Sequence, residues 1–197
     1  MLANDQIEPG FENPAIDAQR VFRAVMEGWA RPGQLVDVSG FGASPAGVDQ
    51  ASAAIALTLV DADTPTHLAP SAARAAPWFR FHCGCPITET VQKAAFVFGS
   101  ASEVSDLSRF AHGSAMEPEL GARIIAHVDS LDDGDTYVLT GPGINGEQRV
   151  SITGLPDALL DARAKLRRHF PAGVDFVFVS GSRFVCLPRT TLIQKES

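Results

Sequence analysis

A chain of 197 residues is long enough to bury the core of one domain. Its 45% hydrophobic and 20% charged residues set it apart from disordered chains. The formal net charge of −7 argues against a nucleic-acid-binding surface, which needs a basic face, and against binding to anionic membranes.

The opening residues, Met1-Leu2-Ala3-Asn4-Asp5-Gln6, have no basic n-region and no apolar h-region, so no secretory signal is expected. The longest near-apolar run, 51–60, falls short of the ~20 residues needed to span a bilayer. Three cysteines, Cys83, Cys85 and Cys186, do not make a disulfide framework. Together these features predict a cytoplasmic protein.

Residues 1–12 read as a flexible arm. Asn13-Pro14 then resembles an N-cap with proline at the first helical position. Val21, Phe22, Val25 and Trp29 continue at helical spacing until Arg31-Pro32-Gly33. A short strand is expected at 34–38, then a glycine-rich loop at 39–47. A buried helix rich in Ala, Leu and Ile is expected over 48–60, stopped by Asp61-Ala62-Asp63-Thr64-Pro65. A strand at 66–69 and a partly helical segment at 71–81 follow, with Pro77 forcing a new turn. Residues 95–98 read as a strand and 104–110 as a short helix.

Three strands at 123–128, 136–140 and 148–152 are expected to form a meander. Asp133-Gly134 supplies its first hairpin signal. Gly141-Pro142-Gly143 and Asn145-Gly146 supply the second turn. Leu155, Leu159, Ala162, Leu166 and Phe170 mark a helix over 156–169. Arg163 and Arg167 share its opposite face, read as solvated or as a docking face for an acidic partner. Strands at 174–179 and 183–187 flank the Ser180-Gly181-Ser182 turn. The result is one α/β domain with a mixed sheet over 13–193, followed by a tail at 194–197.

Candidate chemistry is sparse. His82, Cys83 and Cys85 are weak zinc candidates, because Cys-x-Cys is tighter than the usual ligand spacing. Thr140, Gly141 and Gly143 resemble a phosphate-cradling turn, without the lysine of a P-loop or a helix behind it. Gly42-Ala43-Ser44-Pro45 misses the nucleophile elbow by one residue. Arg80, His82 and Arg189 are the strongest anion-binding candidates, since the guanidinium fork holds two oxygens of a phosphate or phosphonate at once. No complete catalytic set is present.

Several segments in order resemble one family. They are Asp17-Ala18-Gln19 with Phe22-Arg23 and Met26; Leu57-Thr58-Leu59 with Asp61 and Asp63-Thr64-Pro65; and Arg80-Phe81-His82. Gly113, Pro118 and Gly121-Ala122 follow, then Leu139 through Ile144. The last are Phe170-Pro171-Ala172-Gly173-Val174-Asp175 and Leu187-Pro188-Arg189-Thr190-Thr191. From about residue 15 to 192 the chain is similar to the PhnH subunits of the carbon–phosphorus lyase system.

The resemblance implies a three-layer α/β/α domain, like a reduced pyridoxal-phosphate (PLP)-dependent transferase without the cofactor. It implies a homodimer that joins the G, I and J subunits, with L and K held more loosely. Subunits G, H, I and L are implied in coupling an alkylphosphonate to the ribose of ATP with release of adenine, J then breaking the C–P bond. The H subunit would be accessory and non-catalytic. A stand-alone binder of an anionic phosphonate or nucleotide is the alternative, and a PLP enzyme a weaker one. Only Lys93, Lys165 and Lys195 could form a Schiff base, and none sits beside a phosphate loop.

Overall fold

The structure, a computed structural model, describes residues 7–196. Helix α1, Pro14–Ala30, begins at the expected proline. Asn13 does not cap it through its side chain. Asp17 instead reaches back, its carboxylate accepting the Asn13 N–H at 2.9 Å while lying at the positive helix end. After α1 come β1 (Leu35–Asp37), α2 (Gln50–Leu59), β2 (Thr66–Leu68), α3 (Ala76–His82) and β3 (Phe96–Ser100). Then follow β4 (Arg123–His127), β5 (Ser130–Thr140), β6 (Gln148–Thr153), α4 (Asp157–Leu166), β7 (Asp175–Ser180), β8 (Arg183–Leu187) and β9 (Leu192–Lys195).

Six strands form the main sheet in the order β1-β8-β7-β4-β3-β2. Strands β2, β3, β4 and β7 run parallel, β8 pairs antiparallel with β7 at one edge, and β1 pairs antiparallel with β8. Both faces are covered, so the central strands read as near-continuous apolar runs. Alternation splits them between two cores. Phe98, Ile125, Val177 and Phe184 meet Val21, Ile55 and Phe79 on the helical side. Val97, Ile124, Phe176 and Phe178 meet Tyr137, Leu139, Ile152 and Leu159 on the other.

That second face departs from the expected α/β/α layering. It is covered by α4 together with a separate antiparallel sheet, β6-β5-β9. The expected meander is therefore divided. Strand β4 belongs to the main sheet, and β5 begins a new one. Asp133-Gly134 does not close a hairpin but lies inside β5, where the register against β6 shifts between Ser130 and Asp135.

Four smaller expectations also change. Over 104–110 only a 3-10 turn forms, Leu107–Arg109, capped by the Asp106 carboxylate, which accepts the Ser108 N–H. The first two residues of the expected tail are strand, since β9 pairs with β5 through Lys195. In the expected arm, residues 1–6 lie outside the described residues, but Glu8 is tied down. Its carbonyl accepts Trp78 Nε1–H at 3.1 Å and meets His82 Nε2 at 2.9 Å. No described helix is long and apolar enough to cross a membrane.

The last change is Arg163, which is not solvated. It is 8% exposed and stacks over the Phe176 ring, 5.5 Å from its centroid. Its guanidinium donates to the carbonyls of Leu187, Pro188 and Thr191 at 3.3, 2.9 and 3.0 Å. Burial pulls its pKa down to about 10, against the opposing pull of Asp175.

Candidate functional site

A cleft of about 380 Å³ opens beyond the carboxyl ends of β3 and β4, under the first turn of α2. The glycine-rich loop at 39–47 delivers the chain to it. Gly47 has φ +84°, and a Cβ there would strike the Ser71 carbonyl, so only glycine fits. Phe98 and Ile125 form an apolar wall, and Ser52, Asp49 and His127 supply polar groups.

Asp49 occupies the N-cap position of α2 but makes no side-chain cap. Its carboxylate is turned aside, accepting the Gly181 N–H at 2.9 Å and meeting His127 Nδ1 at 2.8 Å. In the neutral ring this fixes the Nδ1–H tautomer and leaves Nε2 as an acceptor. The backbone amides of Gln50 and Ser52 find no partner among the described residues. Ser52 is 5% exposed and lines the cleft, and its hydroxyl makes no hydrogen bond to a described residue.

Glu103 stands beside the cleft and is saturated. It accepts Ser71 N–H at 2.9 Å, Ser71 Oγ–H at 2.5 Å, Ser100 N–H at 2.9 Å and Ser100 Oγ–H at 3.0 Å. Burial raises its pKa, but these bonds outweigh burial and hold the carboxyl below its usual range. A carboxyl held low stabilises the fold above its unfolded value and loses that contribution as pH falls through the folded one. Stability is therefore expected to fall as the pH drops below about 4.5, and Glu103→Gln should flatten that part of the curve. Thermal melts of both proteins across acidic pH check this.

The residues singled out from sequence fall in two separate places. Arg80 and His82 lie on α3, Arg80 exposed and His82 against Trp78 and the Glu8 carbonyl. Arg189 is committed elsewhere. Its Nη2 donates to Asp175 at 2.6 Å, and its Nη1 donates to the carbonyls of Pro118 and Pro171 at 2.7 and 3.1 Å. None of these partners is shared with Arg80 or His82.

Thr140 pairs with Leu192 at the end of β5, and a Cβ on Gly141 would sit 3.2 Å from the Thr190 carbonyl. Gly143 packs against the Ala30 carbonyl, where a side chain would collide. This turn thus approaches protein backbone closely, and its Pro142 edges a shallow groove of about 460 Å³ with Arg167, Arg168, Phe170 and Thr190.

His82, Cys83 and Cys85 do not converge as ligands, and no group of three or more potential metal ligands occurs among the described residues. Burial and the neighbouring Cys85 push the Cys83 thiol up to about 12. Burial also raises Cys85 and Cys186, so all three thiols stay protonated near neutrality.

With this geometry in place, comparison with known proteins is decisive. The family described as "Bacterial phosphonate metabolism protein (PhnH)" matches residues 9–194. The chain belongs to the PhnH family. A relative from Rhizobium meliloti (strain 1021) is 38% identical over 200 residues, covering 100% of both chains. It is named "Alpha-D-ribose 1-methylphosphonate 5-triphosphate synthase subunit PhnH". A second, from Stutzerimonas stutzeri, is 30% identical over 179 residues, covering 89% of this chain and 85% of its own. It is named "Putative C-P lyase subunit protein HtxG".

The cleft residues of this PhnH-family chain escaped sequence reading because they are distant in sequence. Two local signals existed. Gly47 and Asp49 stand just before an apolar helix, and His127 follows the apolar run 124–126 at the end of β4.

Proposed function

We propose that this protein is an accessory, non-catalytic subunit of a carbon–phosphorus lyase assembly. In that assembly it works with subunits G, I and L to couple an alkylphosphonate to the ribose of ATP, releasing adenine. The observation that carries this reading is the likeness, over the whole length of both chains, to a named synthase subunit. The geometry supports a scaffold role. Arg189, the best sequence candidate for anion binding, spends its donors on Asp175 and two carbonyls. Phe22 and Met26, one turn apart on α1, are 47% and 50% exposed, as suits a protein that docks others.

The reading includes a homodimer, contacts with G, I and J, looser ones with L and K, and a cytoplasmic location. It also includes a fold similar to a reduced PLP-dependent transferase without the cofactor. The lysines do not fit a retained PLP site. Lys93 and Lys165 are exposed on the surface, Lys195 pairs with Asp135 on β5, and none lines the cleft. Arg80 and His82 share no partner with Arg189, so a stand-alone phosphonate binder built on those three has less support.

A tagged chain purified from phosphonate-grown cells should bring down G, I and J in fixed proportion. Repeated recovery of the chain alone, or turnover of ATP and methylphosphonate by the isolated chain, would refute the proposal.

A further inference from the structure

We infer that the cleft between the α2 N-terminus and the carboxyl ends of β3 and β4 binds a neutral, polyhydroxylated ring, a sugar or the ribose of a nucleoside, through the hydroxyl and amide of Ser52 and through His127. Three observations converge on this chemistry, and they stand apart from the assembly role.

The first is the diverted cap. An aspartate at an N-cap ordinarily accepts a first-turn N–H. Asp49 faces His127 and Gly181 instead, and the amides of Gln50 and Ser52 are left as donors. The second is Ser52 itself. A hydroxyl on a side chain this deeply buried ordinarily finds a protein partner. The Ser52 hydroxyl has none among the described residues, and its side chain lines the cleft at 5% exposure. The third is the volume, about 380 Å³, within the range of small-molecule sites and backed by the apolar Phe98 and Ile125.

Charge then selects the ligand. The free Ser52 amide needs an acceptor, while in the neutral ring His127 Nε2 accepts from a donor. A hydroxyl is both donor and acceptor, whereas a phosphate or phosphonate oxygen at neutral pH mainly accepts. An anion would also meet Asp49 inside the cleft and Glu103 beside it. Two carboxylates near one site repel a phosphate without penalising a diol. The apolar wall suits the face of a furanose or of a base.

Isothermal titration calorimetry on the full chain tests this with adenosine, free ribose and inorganic tripolyphosphate. Adenosine should bind, and tripolyphosphate should neither bind nor compete. Ser52→Ala should weaken adenosine about three- to tenfold, as expected for one lost hydrogen bond. His127→Gln should weaken it by a similar factor. Thermal melts confirm that each variant is folded. If a variant does not fold, chemical-shift changes at the Gly47, Ser52 and Gly99 amides of the unmodified chain on adding adenosine serve instead.

Ribose binding as tightly as adenosine supports the site and identifies a free sugar as its ligand. Adenosine alone binding supports the site and identifies a nucleoside. Absence of heat with both at millimolar concentration overturns the inference. So does binding that Ser52→Ala and His127→Gln leave unchanged, or displacement of adenosine by tripolyphosphate. None of these results bears on which subunits the chain co-purifies with, so the two readings fail separately.

Discussion

Arg163→Ala is expected to cost about 3–5 kcal/mol of folding stability, the range for removing one member of a buried charged network. Among the described residues, Arg163 is the one charged side chain in the buried set, and its guanidinium donates to three carbonyls in the segment that leads from β8 to β9. Alanine takes one donor from each of these carbonyls, although the Thr191 N–H still serves Pro188 at 3.0 Å, and each carbonyl left unsatisfied costs about 1–3 kcal/mol if water does not replace the guanidinium. The Phe176 ring also loses its stacked cation. For a domain of this size the melting temperature should fall by roughly 10 °C. Arg163→Lys should recover only part of the loss, because an ammonium lacks the planar fork that reaches three acceptors. Denaturant unfolding of the three proteins measures this, and a loss below about 1 kcal/mol would show that the segment holds itself in place.

Arg189→Ala should destabilise the chain by a similar amount, about 3–5 kcal/mol. The pair it breaks is well shielded, the Arg189 and Asp175 side chains being 13% and 18% exposed. Arginine 189 also donates to the carbonyls of Pro118 and Pro171, so it joins the turn before β4 to the turn before β7. Removing the side chain leaves the shielded carboxylate with the backbone N–H of position 189 in place of the guanidinium, and it opens both turns. Asp175→Ala should cost less when Arg189 is already absent, and a double-mutant cycle should give a coupling above about 1 kcal/mol. A purely ligand-binding arginine would leave the free protein's stability unchanged. The cycle therefore separates the structural role that the geometry supports from the anion-binding role that the sequence suggested.

Much of the local structure was legible because its causes are local. Pro14 with the apolar stripe of Val21 and Val25 marks α1, and the β7–β8 hairpin is announced by Ser180-Gly181-Ser182 between two apolar runs. The same local logic misled at Asp133-Gly134, a dipeptide that favours a tight turn but here sits in an irregular strand. It also misled at Arg163, where helical spacing placed the residue opposite a leucine stripe. The stripe faces one neighbour and Arg163 faces another, because the segment from β8 to β9 wraps over that side of α4.

The cleft was the least legible part. His127 and Asp49 are 78 positions apart, and Glu103 reaches Ser71 across 32. Nothing in either neighbourhood names the other, since the pairing of β4 with β7 and of β2 with β3 brings them together only when the sheet forms.

The amino-acid sequence alone determined the mixed α/β character, most helices, the closing hairpin and the resemblance to the phosphonate-metabolism family, because periodicity, turn chemistry and ordered motifs are written along the chain. Only the tertiary structure decided that two sheets form where one was expected, that Arg163 and Arg189 direct their donors to carbonyls and a carboxylate of the chain itself, and that Asp49, Ser52 and His127 face one cleft. Those outcomes depend on which distant segments compete for the same buried surface, and burial is a property of the whole packed chain rather than of any stretch within it.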